Sequence, residues 1–229
     1  MRSSFFRFPF AAISLLTLLT CQGCATQYLL KATSENPEKL NGIEIETLVT
    51  NGCVFQAGSQ NSNSDEMLVR ARITNKSEKA FEVEPTAYAM IGDADTLKNS
   101  PLLSQDPEIY VRDLTSSAEL YESRTKMETY QGLAELESLK GEAADKTLDA
   151  AKTDLKSKEK EAAQSREIAE NIRNRLKPLT GALKRSSLKP GETVEGLLIF
   201  KASFLAKGDI TLESRKAPCE GKLFFHLKK

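Results

Sequence analysis

The sequence predicts a mainly β fold, an antiparallel β-sandwich with an α insertion in the form of a long antiparallel helical hairpin. Two observations carry this. Apolar and polar residues alternate over residues 42–92 and again after residue 190, the period of half-buried strands. Residues 106–178 lose that period and turn to Ala, Glu, Lys, Leu and Arg, all strong helix formers.

The chain opens with "MRSSFFR", in which Arg2 and Arg7 stand without an acid, followed by the apolar run "FPFAAISLLTLLT". A basic start and an apolar run of ~7–15 residues form a secretory signal pattern, shorter than a comfortable membrane span. The run ends at "CQGC", with Cys21 and Cys24 three apart. A C-x-x-C redox pair wants a helix N-terminus beside a βαβ strand, and no such pattern surrounds these two. Zinc wants four ligands, and the chain adds only Cys53, Cys219 and the lone His226, all scattered, so no metal site is expected.

The segment instead resembles the lipobox of bacterial lipoproteins, in which a cysteine is lipidated and becomes the mature N-terminus. Gly23 before Cys24 supplies the small residue next to the cleaved bond, while Cys21 stands where the family usually has Leu. The alternative, Cys21, has Leu18 upstream but Thr20 directly before it. Cys24 is the expected lipidation site, with residues 1–23 the signal peptide. Neither following residue, Ala25 or Gln22, is Asp, which by resemblance implies the outer membrane, facing the periplasm or the cell surface. Acyl chains burying ~0.8 kcal/mol per methylene would hold the protein to membrane lipid.

Removing the leader leaves about 205 residues, room for one sandwich domain with an insertion. The 32 Lys and Arg balance the 32 Asp and Glu, so nucleic acid is not an expected partner. Cys53 and Cys219 remain; in an exported protein they are either a disulfide or two small buried thiols, and the sequence leaves both open.

Residues 24–41 are polar, rich in turn formers, and expected to be a lipidated tether. Residues 42–105 form the first part of the sandwich. "GIEIETLV" alternates at Ile43 and Ile45. "EMLVRARITN" sets Val69, Ala71 and Ile73 against Arg70 and Arg72, and "KAFEVEP" repeats the period at Phe81 and Val83. "NGC" and "AGSQNSNSDE" between them are expected as polar loops, and the sequon "NKS" at Asn75 as a turn. In the second part, residues 179–229, "KPGETVEGLLIFKA" places Val194, Leu198 and Phe200 on one face. "DITLES" and "GKLFFHLKK" follow, the latter with Leu223, Phe225 and Leu227 inward. About six or seven strands result, the number an immunoglobulin-like sandwich requires. "VRARITNKSEKAFEVEP" and the later "LKPGETVEGLLIFKA" resemble the immunoglobulin-like domains of bacterial secreted antigens and lipoproteins of unknown function. The resemblance covers residues 42–92 and 188–228 and implies no shared catalytic residues.

Within residues 106–178, Asp106-Pro107 reads as an N-cap with Pro at the first helical position. One helix of this length would reach ~100 Å, so a turn is expected at Lys140-Gly141, with Gly132 the less central choice. In the second helix, Leu148, Leu155, Ala162, Ala169 and Leu176 recur at seven, alongside Ala144, Ala151, Lys158, Ser165 and Ile172. This seam is thin. Either it packs on the sandwich, or a helix from an envelope partner or a second copy completes it at Leu148, Ala151, Leu155, Ala162, Ala169 and Ile172. A solvated spacer is the plain alternative.

No G-x-S-x-G, H-E-x-x-H, P-loop or dinucleotide glycine pattern occurs, and His226 falls on the polar side of its strand. Neither an enzyme nor a cofactor is expected. The sequence points to a lipid-anchored interaction or scaffold protein of the cell envelope. An adaptor of an efflux or secretion system is the second choice and a hydrolase the third.

Overall fold

The computed structural model describes residues 29–60, 65–92, 101–139, 145–201 and 208–228. The leader, Cys21, Cys24 and the expected turn at Lys140-Gly141 lie outside the described residues. The fold is mainly β, with antiparallel sheets and two helices packed together.

One sheet runs in the order β1 (Leu29–Ala32), β12 (Gly221–Lys228), β11 (Gly208–Ser214), β7 (Tyr88–Gly92) and β8 (Leu102–Leu103). The other runs β10 (Thr193–Lys201), β5 (Glu66–Asn75), β4 (Cys53–Gln60), β3 (Ile43–Val49) and β2 (Glu38–Leu40). A two-stranded ribbon pairs β6 (Phe81–Val83) with β9 (Ser186–Leu188). Strand periodicity puts alternate residues on one face, and those faces meet. Phe55, Ile73 and Phe200 from one sheet share a core with Met90, Leu212 and Phe225 from the other. Cys53, opening β4, and Cys219, between β11 and β12, are joined by a disulfide with Cα atoms 5.1 Å apart.

The two sequence stretches that carry the family resemblance lie side by side. β5 pairs with β10 over its length, from Glu66↔Lys201 to Thr74↔Thr193. At the end of that ladder, Asn75 N–H donates to the Glu192 carbonyl and Gly191 N–H donates to the Asn75 carbonyl, both at 2.9 Å. The Asn75 side chain is fully buried and fully used. Its Nδ2 donates to the carbonyls of Leu188 at 2.8 Å and Lys79 at 2.9 Å, while Oδ1 accepts from the N–H of Ser77 at 2.8 Å. The sequon is a structural turn.

Two expectations require correction. The stretch expected as a tether, residues 24–41, contributes strands: β1 pairs with β12 and β2 pairs with β3. Leu30 and Leu40 go into the interior. One buried leucine per short edge strand is too little to show a period in sequence. The second correction is β4, of which Cys53 and residues 57–60 fall in stretches expected to be loop. Its turn-like composition has a packing cause at Gly58. A Cβ there would lie 2.3 Å from the Glu44 carbonyl oxygen, so the close approach of the chain at β3 demands glycine.

Candidate functional site: the helix pair and its seat

α1 spans Pro107–Leu139 and α2 spans Asp145–Leu179, each about 50 Å long at ~1.5 Å per residue. The Asp106 carboxylate accepts from the N–H of Glu108 at 2.9 Å and of Ile109 at 3.3 Å, satisfying two of the free donors at the helix start. Contacts step backward along α2 as they step forward along α1. Arg173 pairs with Glu122, and a Cβ on Gly132 would lie 2.9 Å from Leu155 Cδ1. Gly132 therefore sits inside α1, facing α2, and is not a turn.

Small residues line the join. Ala118, Thr125 and Gly132 of α1 are buried, as are Ala162, Ser165, Ala169 and Ile172 of α2. Leu155 is half-buried, while the side chains of Leu148 and Ala151 lie outside the described residues. The described part of the expected partner seam is thus occupied from within the chain. Ala162, Ala169 and Ile172 face α1, and this corrects the expectation that they await an outside helix. The reason is the small size of the residues on both sides, which lets two helices close without large apolar side chains. A groove of about 810 Å³ flanks the join on one side, bordered by Lys126, Tyr130, Arg166 and Arg173 among others.

The helix pair meets the β region at its two feet. Tyr110 and Leu179 pack against Leu68, Leu197 and Ile199, with Val111, Leu114, Leu176 and Ala182 around them. These sheet residues lie on the face of β5 and β10 turned away from the common core. Further along the same face the sheet becomes charged: Arg70 Nη1 lies 2.5 Å and Arg72 Nη2 lies 3.2 Å from the Glu195 carboxylate. The strands are apolar on both faces only where the helices cover them.

A polar cluster sits inside this seat. Glu66, opening β5, is 1% exposed. The Tyr110 hydroxyl donates to Glu66 Oε1, and Arg175 of α2 donates to it from Nη2 at 2.6 Å and Nε at 3.1 Å. Arg175 Nη2 also donates to the Tyr110 hydroxyl at 3.2 Å, and its Nη1 lies 3.4 Å from Asp65. Burial, followed by the hydrogen bond and charge of Glu66, pushes the Tyr110 hydroxyl pKa above its ordinary value. For Arg175, burial opposes the charge, but the hydrogen bond and charge of Glu66 outweigh it and its pKa is raised. A neutral phenol and a charged guanidinium thus share one carboxylate. One residue from each of three elements is locked in a single arrangement. Such a cluster holds α1, α2 and β5 in register, and its chemistry is that of a clamp.

Elsewhere, His226 is exposed, with Nδ1 2.8 Å from Asp209. The small basic stretch Lys184–Lys189 is partly neutralised, because Arg185 and Lys216 both pair with Glu84, at 2.6 and 2.9 Å. Among the described residues, no group of three or more His, Cys, Asp or Glu is arranged to hold a metal ion, and no helix is long and apolar enough to cross a membrane.

The sequence did not single out Glu66, Tyr110 or Arg175. Glu66 and Arg175 lie 109 residues apart, and no local pattern links them. The one available signal was an acid directly before the apolar run Met67-Leu68-Val69. Comparison of the chain with protein-family models, with curated proteins and with solved structures gives no match.

Proposed function

We propose that this chain is a lipid-anchored, non-enzymatic interaction module of the cell envelope. In this reading an immunoglobulin-like sandwich carries a helical hairpin, and the hairpin is the working part. Anchorage rests on the leader and its lipobox resemblance, with Cys24 the lipidated residue. The sandwich reading is supported by the two five-stranded sheets sharing one disulfide-linked core.

The observation that carries the function is an asymmetry along the helices. Their feet are held by a buried apolar patch and by the Glu66–Tyr110–Arg175 cluster. Beyond the feet, α1 exposes Leu120, Met127, Tyr130 and Leu133, with Met127 59% and Tyr130 72% exposed. Large apolar side chains gathered on one helix and left to water mark an interaction surface more often than a spacer. A spacer needs only charged and small residues there.

Native electrophoresis of solubilised envelopes tests the reading. The full chain is compared with a variant in which a short glycine-serine linker replaces residues 119–171, keeping Tyr110 and Arg175. The expected result is that the full chain migrates in an assembly that the shortened variant, still folded, does not enter. A shortened variant that keeps the same assembly overturns it.

A further inference from the structure

α1 carries two heptad seams on opposite faces. One is the buried join with α2 at Ala118, Thr125 and Gly132. The other runs Ser116, Leu120, Ser123, Met127, Tyr130 and Ala134, alternating steps of four and three, and all six residues are exposed. That spacing is the a/d pattern of a coiled coil, and a helix needs it twice only when it has two helical neighbours. Among the described residues, the chain supplies one neighbour, α2.

We propose that the second neighbour is α1 of a second copy of this chain, packed antiparallel about a two-fold axis. This rests on the interaction reading above and gives it a partner. The flanks of the seam make the choice. Glu119 and Lys126 border the same edge, seven residues apart, both exposed, and among the described residues neither has an ion-pair partner. On two antiparallel copies of one helix, this edge faces itself. Glu119 of each copy then meets Lys126 of the other, giving two complementary pairs from one sequence feature. The opposite edge holds Ser117, Arg124 and Gln131. Arg124 is already paired with Glu128 at 2.6 Å, so this edge adds no net repulsion and offers a parallel arrangement little.

The seam from Ser116 to Ala134 runs about 27 Å at ~1.5 Å per residue, with serine at two of its six places. Such a contact is at the small end of specific interfaces, which bury ~1,200–2,000 Å² in total. It is therefore a weak association in dilute solution, strengthened when anchoring raises the local concentration of copies.

Charge exchange tests this without disturbing the core, because both residues are exposed. A photo-crosslinking residue at Met127 in the full chain, expressed in cells, is expected to give a band at twice the chain mass. Glu119→Lys alone and Lys126→Glu alone are each expected to reduce that band about fivefold or more, and Glu119→Lys with Lys126→Glu together to restore it. Sensitivity at Glu119 with none at Lys126 would mean parallel packing and overturn the proposal. So would no band of double mass, or a double variant no better than the singles. A band of another mass would also overturn the second copy as occupant, while leaving the interaction reading in place.

Discussion

Arg175, four residues before the end of the second helix, donates two hydrogen bonds to Glu66, which opens the inner strand β5 and is almost wholly buried. The contact joins the two parts of the chain that the sequence read as separate: a β region and an inserted helical stretch. Its position at the feet of the helices decides how the rest of the pair is aimed.

Replacing one partner should therefore cost more than replacing both. Arg175→Met removes the principal cation facing the Glu66 carboxylate and is expected to lower stability by about 3 kcal/mol. Glu66→Gln with Arg175→Met removes the charge as well and should recover part of that loss. Urea unfolding midpoints of the two variants measure it; equal losses would show the pair contributes as independent contacts.

The disulfide makes a second prediction. Cys53 and Cys219 are separated by 166 residues, and cross-linking so long a loop restricts the unfolded chain. Cys53→Ser with Cys219→Ser is expected to destabilise the β region by roughly 4 kcal/mol, read from the urea midpoint under non-reducing conditions. An unchanged midpoint would contradict the bond's role in joining the two sheets.

Asn75 makes a third. Its side chain bridges two carbonyls and an N–H from three places in the chain. Asn75→Ala takes this donor from the buried Leu188 carbonyl and this acceptor from the Ser77 N–H, while the Lys79 carbonyl keeps the Ser77 hydroxyl, and it is expected to cost ~1–3 kcal/mol, measured by thermal or urea unfolding. A variant as stable as the parent would mean the turn forms without its side-chain bridge.

A fourth concerns pH. Burial opposes the charge of Glu195, but hydrogen bonds from Arg70 and Arg72, with their charges, hold its pKa below the usual 4.5. A lowered folded-state pKa adds stability that is fully present above about pH 4.5 and is lost as pH falls through the folded value. Glu195→Gln should flatten part of that acid-side decline, seen as a shallower slope of unfolding free energy with falling pH. An identical slope in parent and variant would rule out this carboxylate as a contributor.

Much of the β region was legible because its buried residues alternate. Val69, Ala71 and Ile73 are buried while Arg70 and Arg72 stay partly exposed, as their spacing requires. Leu223, Phe225 and Leu227 are buried in the same way. What escaped had a physical cause in each case. β4 carries Ala57, Gly58 and Ser59 where β3 crowds it, and small residues read as turn. β1 and β2 are short edges with one buried leucine each. The outer face of β10 is apolar at Leu197 and Ile199 because helix feet cover it, a fact of tertiary packing without a local signature. The heptad in α2 was readable, but whether α1 or an outside helix filled it was not, since alanine suits either.

The central claim is that α1 beyond its foot is where this chain meets its partner. Site-specific photo-crosslinking in cells tests it most directly, with the probe at Tyr130 on the exposed face of α1 and, for comparison, at Lys39 on the exposed edge strand β2. The account predicts a discrete cross-linked band from Tyr130 and none from Lys39. Silence at Tyr130, or the same band from both positions, would contradict it.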